Sequence, residues 1–448
     1  MTFKRLITTK IIVLILVLVS TLTAGTVIYE FIHSPAIEGN LLGDSASRQT
    51  IVYLPPGYDQ NLTVRYPVIY LLHGITNKSQ HWFDTSLYNG SYVNIKTWAD
   101  TLISLGTIKP FIIVMPDAYN KYKGSYYTNS IVTGGWEDFI SNELVTYIDN
   151  NYRTLQQSQS RGIAGHSMGG YGAIKLAMKH PDIYGAAYGF SPAQMAFEDL
   201  YMGWEKPSLI AAVKANNFDI LPWIIQSQIA QAAALSPNPD AQPFLCDFPI
   251  DTNGVFIDST WQKWLLHDPF TMIASYRENL LQLKGIGFDC GNYDPLLPSI
   301  RIFSQALTDA GIPHVYEEFW GDHTKQLKEN IGLKMLPFFS EVLADIATVS
   351  IQTQTTYEFS LSQNYPNPFN PNTTIVYSLP HESVVDITVY NILGKEVNQL
   401  ISKKQLPGEH SIHWNGTDYD GSKASAGIYL FKIQAGDFVQ TKKMVLMK

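Results

Sequence analysis

Gly162-Ile163-Ala164-Gly165-His166-Ser167-Met168-Gly169-Gly170-Tyr171-Gly172-Ala173-Ile174-Lys175-Leu176-Ala177 is the stretch on which the fold turns. Its first three residues have the short apolar character of a buried strand. The residues from Gly170 onward open a helix that ends at His180-Pro181, because a proline disfavours helical backbone in the residue before it. Between the two, Gly165-His166-Ser167-Met168-Gly169 has the G-x-S-x-G form, in which a serine hydroxyl is exposed on a tight strand-to-helix turn. Alone the pentapeptide is weak: with glycine near 7% of residues and serine similar, about one chain in seven of this length contains it by chance. Its position between a strand and a helix separates it from an ordinary glycine-rich turn. The flanking glycines also have a task there, since the backbone at such an elbow is strained and closely crossed by its neighbours.

Outward from the elbow, short apolar runs alternate with helix-length amphipathic ones, which predicts an α/β sheet with helices on both faces. Strands are expected at Gln49–Leu54, Val68–Leu72, Phe111–Met115, Gly162–Ala164, Ala186–Phe190, Gly285–Phe288 and His314–Phe319. Between Pro192 and Pro269 the rhythm breaks into Trp- and Pro-rich helical pieces, including Leu221–Leu235, which read as a cap inserted over the sheet at about 193–268. The expected organisation is an α/β-hydrolase unit over 34–347, a linker over 348–362 and a small β-sandwich over 363–448. The prolines of Asn364-Tyr365-Pro366-Asn367-Pro368-Phe369-Asn370-Pro371 mark the boundary, and alternating runs such as Val384–Tyr390 and Ile428–Ile433 supply the sandwich strands. A length of 448 residues agrees with two folded units.

Hydrophobic residues at 45% and charged residues at 16% supply a core. A net charge of -8 repels phosphate backbones and argues against a nucleic-acid partner. Lys4, Arg5 and Lys10, an apolar run from Ile11 to Val19, and the small residues Thr23, Ala24 and Gly25 follow the plan of a signal peptide over 1–24, with an uncleaved anchor as the alternative. Export admits one disulfide between Cys246 and Cys290, the whole cysteine set, or two free buried thiols.

A serine hydroxyl needs a base to take its proton, and the base needs an acid to hold its tautomer; in this fold the chain order is Ser, acid, His. After Ser167 and before the linker the histidines are His180, His267, His314 and His323. Only His323, in Trp320-Gly321-Asp322-His323, lies in a loop directly after the last strand, at the carboxyl edge where open α/β sheets place their chemistry. The acid is expected from Asp289-Cys290-Gly291-Asn292-Tyr293-Asp294. Asp294 follows the glycine turn and is favoured, while Asp289 remains at the strand end and is expected to fix the turn. The oxyanion needs two N–H groups, assigned to Met168 and, through His73-Gly74-Ile75, to Ile75. His73 itself reads as structural. Trp82, Tyr126, Tyr127 and Trp136, with Trp204, Trp223, Trp261 and Trp264 of the cap, are candidates for an aromatic substrate site, each also a candidate for packing. No His/Cys cluster has metal-ligand spacing, and neither a metal nor an organic cofactor is required by this chemistry.

Val52-Tyr53-Leu54-Pro55-Pro56-Gly57-Tyr58, Leu71-Leu72-His73-Gly74, Tyr126-Tyr127-Thr128-Asn129-Ser130, the elbow, and Asp289 to Asp294 together resemble the esterase family that includes feruloyl esterases, acetylxylan esterases, S-formylglutathione hydrolases and mycolyltransferases. The resemblance covers about residues 34–343. It implies a serine esterase with nucleophile Ser167, acid Asp294 and base His323, acting on feruloyl or acetyl esters of plant polysaccharides. The cap departs from compact members in being longer. Acyl transfer to a sugar or lipid hydroxyl, and an inactive surface binding protein, are the alternatives. The segment from about Ser360 to Lys448 is similar to the sorting domain of the bacterial type IX secretion system. That resemblance rests on Asn-Pro-Phe-Asn-Pro, Trp414-Asn415-Gly416-Thr417-Asp418 and Gly427-Ile428-Tyr429. It implies secretion or surface attachment in a Gram-negative bacterium, with the secretion machinery as partner. A carbohydrate-binding module is the rival for this segment.

Overall fold

The computed structural model describes residues 24–83, 93–344, 347–348 and 358–447. The expected signal peptide lies outside them but for Ala24. The chain divides into two compact units, Met1–Val349 and Ser350–Lys448.

In the first unit eight strands form one mixed sheet: β1 (Thr26–His33), β2 (Ser47–Leu54), β3 (Val68–Leu72), β4 (Ile112–Pro116), β5 (Arg161–His166), β6 (Ala186–Phe190), β7 (Gly285–Gly291) and β8 (Val315–Phe319). Their spatial order is 1-2-4-3-5-6-7-8. β1 and β2 run antiparallel to their neighbours, and β3 through β8 run parallel to one another. β1 corrects the expected start at residue 34. Val27, Ile28 and Ile32, which continue the apolar character of the N-terminus in sequence, pair instead along the whole of β2.

Every residue of β3 is buried, as expected of a strand covered on both faces. The two-residue period of a strand sends Val68, Tyr70 and Leu72 to one face and Ile69 and Leu71 to the other. The first set packs with helix α1 (Met168–Lys179); the second packs with Ile95, Ala99 and Leu102 and with Leu336 and Phe339 from helices on the opposite side. Between β6 and β7 the cap comprises Phe197–Met202, Lys206–Val213, Trp223–Leu235 and Asp258–Leu265, followed by Pro269–Ser275. The architecture is an α/β-hydrolase fold with a helical cap. Among the described residues no helix is long and apolar enough to cross a membrane.

The second unit is a β-sandwich. One sheet joins Ser360–Leu361, Thr373–Leu379 and Gly408–Trp414; the other joins Glu396–Gln405, Ser383–Asn391, Gly427–Ala435 and Phe438–Leu446. Both contribute to a core that includes Ile375, Tyr377, Val385, Ile387, Trp414, Phe431 and Ile433. The sandwich begins at Ser360 rather than 363, because Ser360 and Leu361 already pair with Ser378 and Tyr377. Trp414, the one tryptophan of this unit, is buried against Phe369 and Tyr429, so it supplies no exposed platform for sugar stacking.

Candidate active site

Strand register decides what meets at the carboxyl edge of the sheet. Leu72 pairs with Gly165, His166 with Phe190, Phe190 with Asp289, and Gly291 with Phe319, so the loops leaving β3, β5, β7 and β8 start level with one another. Ser167 leaves β5 at φ 57° and ψ -119°. A non-glycine residue keeps such backbone only where its surroundings enforce it, at a cost of about 1–3 kcal/mol. Here the Ser167 N–H donates to the Phe190 carbonyl at 3.0 Å, and the Ser167 carbonyl accepts from the Tyr171 and Ala193 N–H groups, each at 3.0 Å. A Cβ on Gly165 would run into the Gly169 carbonyl, and one on Gly169 into the carbonyl of Leu72. Both glycines of the pentapeptide are therefore fixed by backbone, which cannot swing aside.

Asp294 and His323 meet across the loops after β7 and β8. Those loops are joined by the Asn292 N–H to the Phe319 carbonyl at 2.8 Å and the Tyr293 N–H to the Gly321 carbonyl at 2.9 Å. His323 Nδ1 lies 2.8 Å from Asp294 Oδ2, and the Leu296 N–H donates to Asp294 Oδ1 at 3.0 Å. The Asp294 side chain is 0% exposed. Burial opposes its charge, but the bond and charge of His323 and the Leu296 N–H outweigh burial and hold the carboxyl below its ordinary value. With Nδ1 engaged, His323 has Nε2 left for the cavity. His166 supports His323 from behind, with its ring centroid 4.8 Å from that of His323 and its Nε2 2.8 Å from the His323 carbonyl. Burial, then the nearby His323, pushes His166 down to about 3, so the ring is neutral and Nε2–H is the donor.

The loop His73-Gly74-Ile75, expected to hold the oxyanion, is braced in the same way. The Ala118 N–H donates to His73 Nε2 at 2.8 Å, so His73 carries its proton on Nδ1 and donates it to the Gly74 carbonyl at 2.8 Å. Burial pushes its pKa down to about 4, in keeping with a neutral structural ring. The Tyr127 hydroxyl donates to the His73 carbonyl at 2.8 Å. Gly74 lies against the elbow, where an added Cβ would sit 3.4 Å from Ser167 Cβ. Ile75 follows it, and Met168 is the first residue of α1, where an N–H has no acceptor within the helix.

Ser167, Asp294, His323, Ile75 and Met168 all line one cavity of about 390 Å³. A smaller one of about 250 Å³ adjoins it, sharing Ser167, His323, Ile75 and Trp223 and adding Thr76 and Asn77. Of the aromatic candidates, Tyr126, Trp204 and Trp223 line the larger cavity. Tyr126 is held in place by its hydroxyl, 3.2 Å from the Ser227 carbonyl, and by Lys175 Nζ, 3.1 Å from its own carbonyl. Trp82, Tyr127 and Trp136 are corrections. Trp82 packs in the core on the α1-free face of the sheet. Tyr127 is fully buried behind the His73-Gly74 loop, and Trp136 is fully buried with Nε1–H on the Thr133 carbonyl. Trp264 is likewise core, donating to Ser236 Oγ, and Trp261 packs against Phe256 and Tyr201.

One open alternative is decided and one expectation changes. Cys246 and Cys290 are free and buried, not bonded: Cys246 neighbours Tyr122, and Cys290 lies beside Asp294. Asp289 does not fix the turn with its side chain, which accepts from the Tyr188 hydroxyl at 3.1 Å and Asn330 Nδ2 at 3.0 Å. Gln194, Glu205, Ile224, Ser227 and Leu296, all cavity-lining, were not legible as such in the sequence. The cap has no periodic signal that points a side chain toward a site, and His166 offered only its place in the pentapeptide.

The family model described as "Putative esterase" matches residues 45–326, and a model described as a FlgD Ig-like domain matches residues 371–437. An esterase of Mycobacterium tuberculosis is 28% identical over 274 residues, spanning 58% of this chain and 48% of its own. A Xylanibacter ruminicola protein named endo-1,4-beta-xylanase/feruloyl esterase is 36% identical over 141 residues, 30% of this chain and 18% of its own. The chain thus spans about half the length of the mycobacterial relative. A solved structure named ferulic acid esterase shares the fold at TM-score 0.50 and 22% identity, over 72% of this chain and 100% of its own. With a match that covers more than half of its length and includes the elbow, the chain belongs to this esterase family of α/β-hydrolase fold.

Proposed function

We propose that the protein hydrolyses carboxylic esters through an acyl-enzyme on Ser167. Ser167 Oγ attacks the ester carbonyl carbon as His323 Nε2 takes its proton, and the Ile75 and Met168 N–H groups hold the oxyanion. Asp294 stabilises the imidazolium. His323 then gives the proton to the leaving alkoxide, which departs as the alcohol, and a water activated by the same nitrogen releases the acid. The observation that carries this reading is the 2.8 Å Asp294–His323 pair facing, across one cavity, a serine on enforced backbone.

For substrate, the aromatic lining by Tyr126, Trp204 and Trp223 favours an aryl acyl or aryl alcohol group, the relative named endo-1,4-beta-xylanase/feruloyl esterase favours a feruloyl ester, and an acetyl ester of plant polysaccharide rests on the sequence resemblance alone. Export is part of the same reading, supported by the N-terminal residue plan and by the C-terminal sandwich's resemblance to a sorting domain. Replacing Ser167 by Ala is expected to lower kcat on an aryl ester by about 10⁴-fold or more and to abolish labelling by a fluorophosphonate. Near-normal turnover by that variant would overturn the proposal.

A further inference from the structure

Glu205 is 3% exposed, lines the same cavity as Ser167, and has only neutral partners. A buried carboxylate is unfavourable unless hydrogen bonds replace the water it loses. Gln228 Nε2 donates to Oε2 at 2.9 Å. Gln194 Nε2 straddles both oxygens, at 3.3 Å from Oε2 and 3.4 Å from Oε1. A carboxylate offers about four acceptor positions; the two amides and the nearby Tyr201 hydroxyl take at most three, and Oε1, whose one amide donor is long and shared, keeps room for another. Burial pushes the group above the usual carboxylate value, against the lowering effect of these amides and of Tyr201. The neighbouring lining, Trp204, Trp223 and Ile224, is mainly apolar. Glu205 is thus a polar point in a greasy chamber, the arrangement by which a pocket fixes the orientation of what it holds.

We infer that Glu205 selects esters whose cavity-filling arm carries a hydroxyl, the O–H donating to Oε1 while Ser167 faces the ester carbonyl. The inference rests on the proposed ester hydrolysis at Ser167 and names the chemistry its cavity prefers. A hydrogen bond to a charged acceptor gives about 10- to 100-fold discrimination, and more where the unpaired partner is left buried.

The test compares kcat/KM within two matched pairs on the full chain: methyl 4-hydroxycinnamate against methyl cinnamate, and 4-hydroxybenzyl acetate against benzyl acetate. The first pair places the hydroxyl on the acyl side and the second on the alcohol side. Wild type is expected to favour the hydroxylated member of one pair by at least tenfold. Glu205→Leu is expected to bring that ratio close to one, and Glu205→Gln, which keeps an acceptor without charge, to fall between. A carboxyl that only props the cap would lower both members alike and leave the ratio unchanged. Ratios near one for wild type in both pairs, or a ratio that survives Glu205→Leu, overturn the inference. Fluorophosphonate labelling of Ser167 in each variant reports an intact site. Labelled enzyme with flat ratios removes only the role of Glu205, whereas wild type that neither labels nor turns over any ester removes the hydrolase reading as well.

Discussion

Asp294→Asn tests the proposed chemistry at the atom where the geometry is most explicit. Oδ1 of Asp294 accepts the Leu296 N–H at 3.0 Å, and Oδ2 faces His323 Nδ1 at 2.8 Å. An asparagine in this buried position keeps its carbonyl on Leu296, because an NH₂ there would face a donor. Its NH₂ therefore points at His323 Nδ1, which must accept, and the imidazole proton moves to Nε2. In that tautomer the nitrogen facing the cavity cannot take the proton of Ser167. The known consequence of such a swap in a serine triad is a loss of about 10⁴ in kcat, or about 5.4 kcal/mol at 1.36 kcal/mol per factor of ten. The assay is kcat and KM for 4-nitrophenyl acetate at several pH values, with thermal melting as a check on folding. KM is expected to change little, since the hydrogen bond acts on proton transfer rather than on ester binding. Folded Asp294→Asn enzyme with kcat within tenfold of wild type would refute the argument.

Two other outcomes follow from the buried carboxyl of β7 and from the C-terminal unit. Burial pushes Asp289 up to about 7 in the folded protein, against about 3.9 unfolded, so its effect on stability is neutral below about pH 4 and increasingly adverse as pH rises to 7. Asp289→Asn should therefore gain thermal stability over wild type as pH rises, by on the order of 4 kcal/mol above pH 7, whereas a gap that does not vary with pH in melting curves would contradict this. A chain lacking residues 360–448, expressed in a host with a type IX system, is expected to remain inside the cell envelope. Its recovery outside the cell in the amount of the full chain would remove the sorting role.

Much of the site was legible because its residues sit where backbone geometry leaves a sequence signature. Gly165 and Gly169 face carbonyl oxygens that no side chain can displace. Gly74 stands beside the Ser167 side chain. The loops after β7 and β8 were expected to supply an acid and a base in chain order, and among the candidate residues the structure brings Asp294 and His323 within 2.8 Å. The expected strands are all present within a few residues, since runs such as Val68–Leu72 are apolar throughout and too short for helices.

Aromatic identity was less informative. Tyr126 and Tyr127 are adjacent and of one type, yet the first lines the cavity and the second braces His73 from the core. Trp223 is 59% exposed at the cavity and Trp264 fully buried, a difference set by how the cap helices pack rather than by their composition. β1 was obscured for a similar reason, because Val27, Ile28 and Ile32 become a strand only by pairing with β2. By itself the sequence determined the strand-to-helix elbow, the chain order of Ser167, Asp294 and His323, and the change to a β-rich C-terminal unit. These are local: each is written in neighbouring residues by steric exclusion or by periodicity. Only tertiary structure decided that Cys246 and Cys290 stay apart, that Asp289 turns to Tyr188, and that Glu205 enters the cavity. Those outcomes depend on distances between segments far apart in the chain, which the packing of the cap on the sheet sets and no short run of residues encodes.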